Sequence, residues 1–576
     1  MKHKSEIPKD PREISSQIPE DLSSVILKCL EKDNENRYQT AGEVRSELTR
    51  IEEGIPTTER VEPKRKPITS KEITVTFRLK KLFIPALIVV ALVIAAIIIW
   101  QLLPQREAVP TESSKSSIAV LPFEDLSPEK DQEYFCDSMA NSIINALSNV
   151  DDLSVRARGS SFLFKGKQRD LQKIAMKLNV ESVLEGSVQK MGSRFRITAQ
   201  LINTADESVL WSDQYNREQG DVFAIQDEIT LAIVDNLRIE LLGGEKAKLV
   251  KRYTEDIEAF NLYSKGVFSL NIRTVQDLKK AIQYFEQAIE KDPDYALAHA
   301  GLAYSHYLLT HYADLSPSEF YQQTLKAKEA ALKALEIDNT LAEAHVSLGS
   351  IKWHADWDWE GAEREFMRAI ELNQGYADAH YSYAYMLMHM ARFEESIREM
   401  KLALELDPLS LIINRNLGQL FYRARQYDQA IKALQKTLEM DPNFSMTHFY
   451  LGTTYLQKSM YKEALAEFKK EKEIKKGVYL HADAMIMVTN ALMGEKEEAL
   501  QMLNDFMEQS KHVYIRPYFF AFIHVALGEN DIGFEWLEKA YEKHDVWLRC
   551  LKVDALFDNI RSDPRFKELL KKMNME

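Results

Sequence analysis

The chain has 576 residues, 88 acidic against 74 basic side chains, a formal net charge of −14 and three cysteines. That length allows three or four folding units, and the acidic balance argues against a nucleic-acid binder, which would present a basic face. Three cysteines with no CxxC pair give neither a disulfide framework nor thiol-held zinc or redox chemistry, so cohesion must come from hydrophobic cores.

In residues 1–55, two apolar stripes recur at helical spacing: Leu22, Val25, Ile26, Cys29 and Leu30, then Val44, Leu48 and Ile51. Between them Asp33-Asn-Glu-Asn-Arg37-Tyr38 reads as a turn, and Thr40 with Glu43 as a capping box. Two such helices bury too little to stand alone. Ile18-Pro-Glu-Asp-Leu22 and Leu27-Lys-Cys-Leu-Glu-Lys-Asp-Asn-Glu-Asn-Arg37-Tyr38 resemble the last helices of the serine/threonine protein kinase C-lobe. The resemblance implies that Arg37 matches the arginine that pairs with the glutamate of the Ala-Pro-Glu motif. The Gly-rich loop, strand lysine, His-Arg-Asp loop and Asp-Phe-Gly aspartate that hold metal and phosphates are missing from the sequence. The expectation is a kinase-tail remnant without catalytic residues, with Met1 either a fragment boundary or a gene-model error.

Residues 56–81 place Pro56, Pro63 and Pro67 among alternating charges, as in a flexible juxtamembrane linker. Residues 82–103, LFIPALIVVALVIAAIIIWQLL, carry no charge and match the about 20 residues that cross a roughly 30 Å hydrocarbon core. Pro85 falls in the first turn, where a missing N–H costs little. Lys64, Arg65, Lys66, Lys71, Arg78, Lys80 and Lys81 precede this stretch, and only Arg106 and Lys115 follow closely. The positive-inside rule then predicts a single-pass protein of the plasma or inner membrane, N-terminus cytoplasmic and C-terminal bulk extracytoplasmic, with the lipid bilayer as one partner. A cleaved signal peptide would lie nearer the start and end in small residues.

After a linker at 104–117, residues 118–245 read as an α/β module. Ser117-Ile-Ala-Val-Leu-Pro-Phe123 is a buried strand, and 134–150 is a helix with Met139, Ile143, Ile144 and Leu147 on one face. A strand at 153–157 and a helix at 171–178 follow. Residues 182–190 and 194–203 form a hairpin, with Phe195, Ile197, Ala199 and Leu201 alternating with Arg196, Thr198 and Gln200. A strand from Val209 and a helix over 223–242 complete a mixed sheet. Ile118-Ala-Val-Leu-Pro-Phe123, Gln132-Glu-Tyr-Phe135, Arg158-Gly-Ser-Ser-Phe162, Val183-Leu-Glu-Gly-Ser-Val188, Arg196-Ile-Thr-Ala-Gln-Leu201 and Leu210-Trp211 with Tyr215 resemble the TolB-like or FlgO-like domain. That family implies a structural or adaptor role without enzymatic activity. Gly159 to Lys167 imitates a phosphate loop, but six residues separate Gly159 from Gly166 and Gln168 replaces the metal-binding hydroxyl, so no nucleotide cofactor is expected.

Residues 246–576 repeat. Ala281-IQYFEQAIEKDP, Gly361-AEREFMRAIELN, Ser396-IREMKLALELDP and Gln429-AIKALQKTLEMDP each follow a helix bearing a small residue. Ala384, Gly418 and Gly452 lie 34 residues apart, as do Pro408 and Pro442. This is the tetratricopeptide period, here in about eight copies, with a capping helix over 563–573. The expected fold class is multidomain: a single transmembrane helix, a small α/β (TolB-like) domain and an all-α tetratricopeptide-repeat solenoid.

The family's groove-facing positions fall on Tyr304, Tyr307, Trp353, Tyr381, Tyr385, Arg415, Gln419, Tyr422, Phe449 and Thr453. Aromatic rings with one arginine suit an extended peptide or a protein surface; the Lys/Asn pairs of a carboxylate clamp are missing. His380 to His389 with Met386, Met388 and Met390 reads as core filler rather than a metal site, and His354, Trp357 and Trp359 as the staple of a helix–helix turn. No catalytic, metal or cofactor residue is expected. The functional expectation is a membrane-anchored interaction or sensor module from the C-terminal portion of a serine/threonine kinase. The alternatives are a non-enzymatic envelope scaffold and a cytoplasmic regulator of a cyclase or transcription system.

Overall fold

The computed structural model describes residues 10–13, 18–31, 37, 38, 40–52, 115–166, 170–218, 222–239, 241, 246, 249–313, 315–475 and 480–576. The chain divides into two units, Met1–Ala108 and Val109–Glu576. In the first, helices α1 (Glu20–Cys29) and α2 (Ala41–Glu52) bury little beyond Ser23 and Val25. Arg37 donates to the Glu31 carbonyl.

The expected transmembrane helix at 82–103 lies outside the described residues, and no described helix is long and apolar enough to cross a membrane. Even the longest of these, Pro317–Ile337 at 21 residues, carries Glu319, Lys326, Lys328, Glu329, Lys333 and Glu336 along its length. The fold class is therefore corrected to a mostly helical repeat solenoid with a small mixed-sheet domain. The single-pass membrane placement, and with it the extracytoplasmic bulk, is withdrawn.

In the second unit, strands β1 (Ser116–Val120), β2 (Glu124–Asp125), β3 (Leu153–Val155), β4 (Ser182–Met191), β5 (Arg194–Asn203) and β6 (Val209–Glu218) form one sheet. Its order is β3-β1-β4-β5-β6, with β2 pairing parallel to β4. β1 runs parallel to β3 and β4, while β4, β5 and β6 are antiparallel neighbours. The two-residue period of β1 splits its apolar side chains between two layers. Ile118 and Val120 meet α3 (Glu133–Leu147) and α6 (Val222–Asn236) through Met139, Ile143, Ile229 and Ile233. Ala119 and Leu121 meet α5 (Leu171–Leu178) through Ile174 and Leu178, with Leu409 of the repeats against the same layer. A single turn of helix, α4 (Arg158–Ser161), precedes α5.

Eight helix pairs follow. They are α7 (Ile257–Ile272) and α8 (Val275–Lys291), α9 (Ala296–Tyr312) and α10 (Pro317–Ile337), α11 (Ala342–His354) and α12 (Trp359–Leu372), and α13 (Ala377–His389) and α14 (Phe393–Leu406). Next come α15 (Leu411–Arg423) and α16 (Tyr427–Met440), α17 (Thr447–Gln457) and α18 (Tyr461–Lys475), α19 (Leu480–Met493) and α20 (Lys496–Gln509), and α21 (Pro517–Leu527) and α22 (Asn530–Glu542). Side-chain oxygens start several second helices: Thr274 accepts from Asp277 N, Asp358 from Gly361 N, and Ser316 closes a capping box with Glu319. Within a pair the helices cross where one side chain is missing. A Cβ at Gly452 would stand 2.6 Å from Phe468 Cε1, and one at Gly418 2.6 Å from Leu434 Cγ. Two 3₁₀ turns, Val546–Cys550 and Ala555–Ile560, and α23 (Pro564–Lys572) follow the last pair.

Candidate functional site

The first helices of successive pairs form a continuous layer, and the chain's own 3₁₀ segment lies along it. Arg549 sits with its guanidinium carbon 5.5 Å from the centre of the Trp353 ring on α11. Arg423 on α15 places Nη1 3.0 Å from Asp554 Oδ2, and the two side chains are 3% and 5% exposed. The Tyr518 hydroxyl on α21 donates to the same carboxylate at 2.9 Å, which also accepts from Leu556 N at 3.2 Å. Burial disfavours the Arg423 charge, but the Asp554 carboxylate together with Cys550, Tyr422 and Tyr518 offsets this and raises its pKa. Trp547 meets Phe449 of α17 edge-on at 6.3 Å and Phe519 of α21 at 5.8 Å. Arg425 binds the next turn, donating to Asp558 Oδ1 at 2.8 Å and to Val553 O at 3.2 Å. The end of the array returns to the α11–α12 turn, where Trp357 stacks on His544 at 4.9 Å and Trp359 Nε1 donates to Met573 O at 2.9 Å.

These contacts define the state of the ten groove positions. Trp353, Gln419, Tyr422, Phe449 and Thr453 are buried, while Tyr304, Tyr307, Tyr381, Tyr385 and Arg415 are half-buried. Tyr422, Phe449 and Thr453 line one small cavity together with Trp547, Asp554 and Leu556 of the segment. Arg415 is tied to the neighbouring repeat, donating to Ser445 O at 3.3 Å and lying over the Phe444 ring. Asn416 beside it donates to the Tyr381 hydroxyl at 2.6 Å. Trp353 Nε1 and Gln419 Oε1 are buried without a hydrogen-bond partner. The layer is shaped for packing and recognition, with rings and a few charges, and it already holds a segment of the chain folded as 3₁₀ turns.

Histidines serve two different purposes here. His345, His380 and His448, at equivalent places in three first helices, bring Nδ1 to Glu365, Glu399 and Glu467 of the paired helix at 2.7, 2.7 and 2.5 Å. Their Nε2 atoms face the carbonyls of Asn339, Gln374 and Pro442 at 3.0–3.1 Å. At His448, acceptors at both nitrogens favour the doubly protonated form. For His448, burial works against the charge, but Glu467 and the carbonyl overcome it and raise the pKa. His354 and His389 are 4% and 0% exposed. Burial, reinforced by the positive field of Arg549, pushes both well below the ordinary imidazole value. The histidine–glutamate rungs went unnoticed in the sequence, although the spacing of His345, His380 and His448 follows the repeat period.

The Arg158-Gly-Ser-Ser stretch, which imitates a phosphate loop, is the seam between sheet and array. Ala157 N donates to Leu406 O at 2.8 Å, and Ser160 Oγ bonds the Asp407 carboxylate while accepting from Leu409 N at 2.8 Å. A Cβ on Gly159 would collide with that carboxylate, so glycine is required there. Burial pushes the Asp407 carboxyl up to about 6.

The family models that match are the HilA/YgeH-like transcriptional regulator, second domain, over residues 114–232, and tetratricopeptide repeats over 274–314, 377–408 and 415–477. The repeats make this chain a protein-interaction module of the tetratricopeptide type. Among curated relatives it is similar to a putative adenylate cyclase 3 of Rhizobium meliloti, 36% identical over 43% of this chain and 42% of that one. It is also similar to the serine/threonine-protein kinase PknB of Mycobacterium leprae, 46% identical over 9% of each chain. The chain thus spans less than half the length of these curated relatives. Among solved structures, YrrB, a TPR protein with an unusual peptide-binding site, is 21% identical over 34% of this chain and 95% of its own, with a TM-score of 0.25.

Proposed function

We propose that this chain is the partner-binding, regulatory portion of a bacterial signalling protein, and that its array takes an extended protein segment along the layer of first helices. The carrying observation is that 546–560, folded as two short 3₁₀ turns, occupies that layer and fills it with its own side chains. It offers an aromatic ring at Trp547, a cation at Arg549 and an anion at Asp554 to Phe449, Trp353 and Arg423. Aromatic and arginine anchors seated in buried pockets are the usual energetic centres of such interfaces. An incoming partner of similar chemistry replaces the segment, which makes the segment an internal competitor. The likeness to a putative adenylate cyclase and to a transcriptional-regulator domain favours a cyclase- or transcription-linked setting. The short likeness to PknB supports a kinase-linked one as the second reading.

The test uses a labelled synthetic peptide with the sequence of residues 544–560, titrated by fluorescence anisotropy against the full chain and against its Asp554→Ala variant. The variant is expected to bind the peptide at least tenfold more tightly than the parent, because its own segment is loosened. Equal binding, or none to either, would overturn the proposal.

A further inference from the structure

A cavity of about 130 Å³ lies at the seam between the sheet domain and the first repeats. It is lined from the sheet side by α3 and α6 and from the repeat side by α7, α11 and the residues that precede α7 and α9. One water needs roughly 10–15 Å³ on this measure, so the cavity has room for a small metabolite. Its wall is aromatic, with Tyr253, Phe260, Tyr263 and Tyr295, and the Tyr263 and Tyr295 rings stand 5.1 Å apart.

Two polar groups on that wall stand out. Gln226 Nε2 is buried and has no hydrogen-bond partner. An unmet buried donor costs about 1–3 kcal/mol. Glu343 forms no salt bridge among the described residues, and burial raises its carboxyl pKa. The cations at the seam are already engaged: Lys251 Nζ lies 2.6 Å from Asp338 and Arg252 Nη2 3.2 Å from Asp227. Asn141, Ser142 and Asn145 add further amides and a hydroxyl to the wall. The Lys251 ammonium only partly opposes the effect of burial on Glu343. The carboxylate stands beside tyrosine rings and the Gln226 amide supplies a donor. A carboxylate with aromatic faces recognises an ammonium group, and an amide N–H calls for an acceptor such as a carboxylate.

We propose that this cavity binds a zwitterionic metabolite of amino-acid size, with its ammonium against Glu343 among the tyrosines and its carboxylate accepting from Gln226. The site is independent of which protein the repeats hold.

The standard L-amino acids, added singly at millimolar concentration to the full chain, test this by isothermal titration calorimetry. One or a few are expected to give saturable heat. Glu343→Gln should weaken that binding at least about thirtyfold, as loss of one member of a buried charge pair does, and Gln226→Ala should also weaken it. The decarboxylated amine of the same compound should bind far more weakly, and Glu360→Gln, at an exposed position outside the cavity, should change nothing. If Glu343→Gln fails to fold by circular dichroism, Gln226→Ala and the amine comparison decide. No saturable heat with any amino acid, or binding untouched by Gln226→Ala and by loss of the carboxylate, would overturn the proposal.

Discussion

Asp554→Ala is the sharpest probe of the seated segment. The substitution leaves the Arg423 guanidinium, 3% exposed, without its counter-charge, and it strips the Tyr518 hydroxyl and the Leu556 amide of an acceptor. Deleting one member of a buried ion pair costs about 3–5 kcal/mol, because the survivor remains desolvated, and an orphaned hydroxyl adds about 1 kcal/mol. At about 1.4 kcal/mol per factor of ten, the middle of that sum, about 5 kcal/mol, raises the undocked population of the segment by roughly three and a half decades. Hydrogen–deuterium exchange with mass spectrometry reads this directly in peptides covering 411–423 and 546–560, whose protection should fall together. The double variant Arg423→Met with Asp554→Leu replaces the pair by apolar volume and should restore most of the protection. A loss of protection below tenfold in Asp554→Ala, or one confined to 546–560, would refute the description of this pair as the latch of the segment.

Three further outcomes are expected. In an NMR titration His448 should titrate above the ordinary imidazole pKa of about 6.5 and His354 and His389 below it. The signs differ: the His448 contribution is complete below about 6.5 and fades as pH rises through its raised value. The neutral pair is favourable above about 6.5 and costs up to about 1.4 kcal/mol per histidine for each pH unit below it, so chemical denaturation at pH 5 should show a weaker array than at pH 7. Gly452→Val should destabilise the array by about 2–3 kcal/mol through overpacking against Phe468, measurable as a lower urea midpoint. Cys29 is exposed while Cys136 and Cys550 are buried, with thiols pushed up by burial. A thiol reagent at pH 8 should therefore label one cysteine per native chain and all three after denaturation.

The sequence exposed what is local and periodic. Alternation in 194–203 gave β5 and its hairpin partner, and small residues at Gly418 and Gly452 gave the helix crossings. One repeat is longer than its neighbours, and its extra residues lie in helices: α9 and α10 run 17 and 21 residues against 13 and 14 in α11 and α12. What stayed hidden is long-range. Ser160 and Asp407 are 247 residues apart, and no pattern within either segment announces the other. The residues 546–560 fold as 3₁₀ turns, whose short irregular form carries no 3.6-residue stripe, so the segment that covers the groove positions had no reading of its own beyond the repeat block. The membrane placement argued from the apolar stretch at 82–103 and its flanking charges finds no support in any described helix.

The bond from Trp359 Nε1 to the Met573 carbonyl spans 214 residues. At a ribosomal pace of roughly 5–20 residues per second, α11 and α12 emerge some 10–40 s before the strand of chain that will cover them. For that interval the rings around Trp353 stand uncovered beside a growing chain, and the nascent array is at its most open to any neighbour with an aromatic or basic tail. Completion of the fold is then a race between the chain's own late residues and whatever else is within reach, and a chaperone holding the early repeats would shift its outcome.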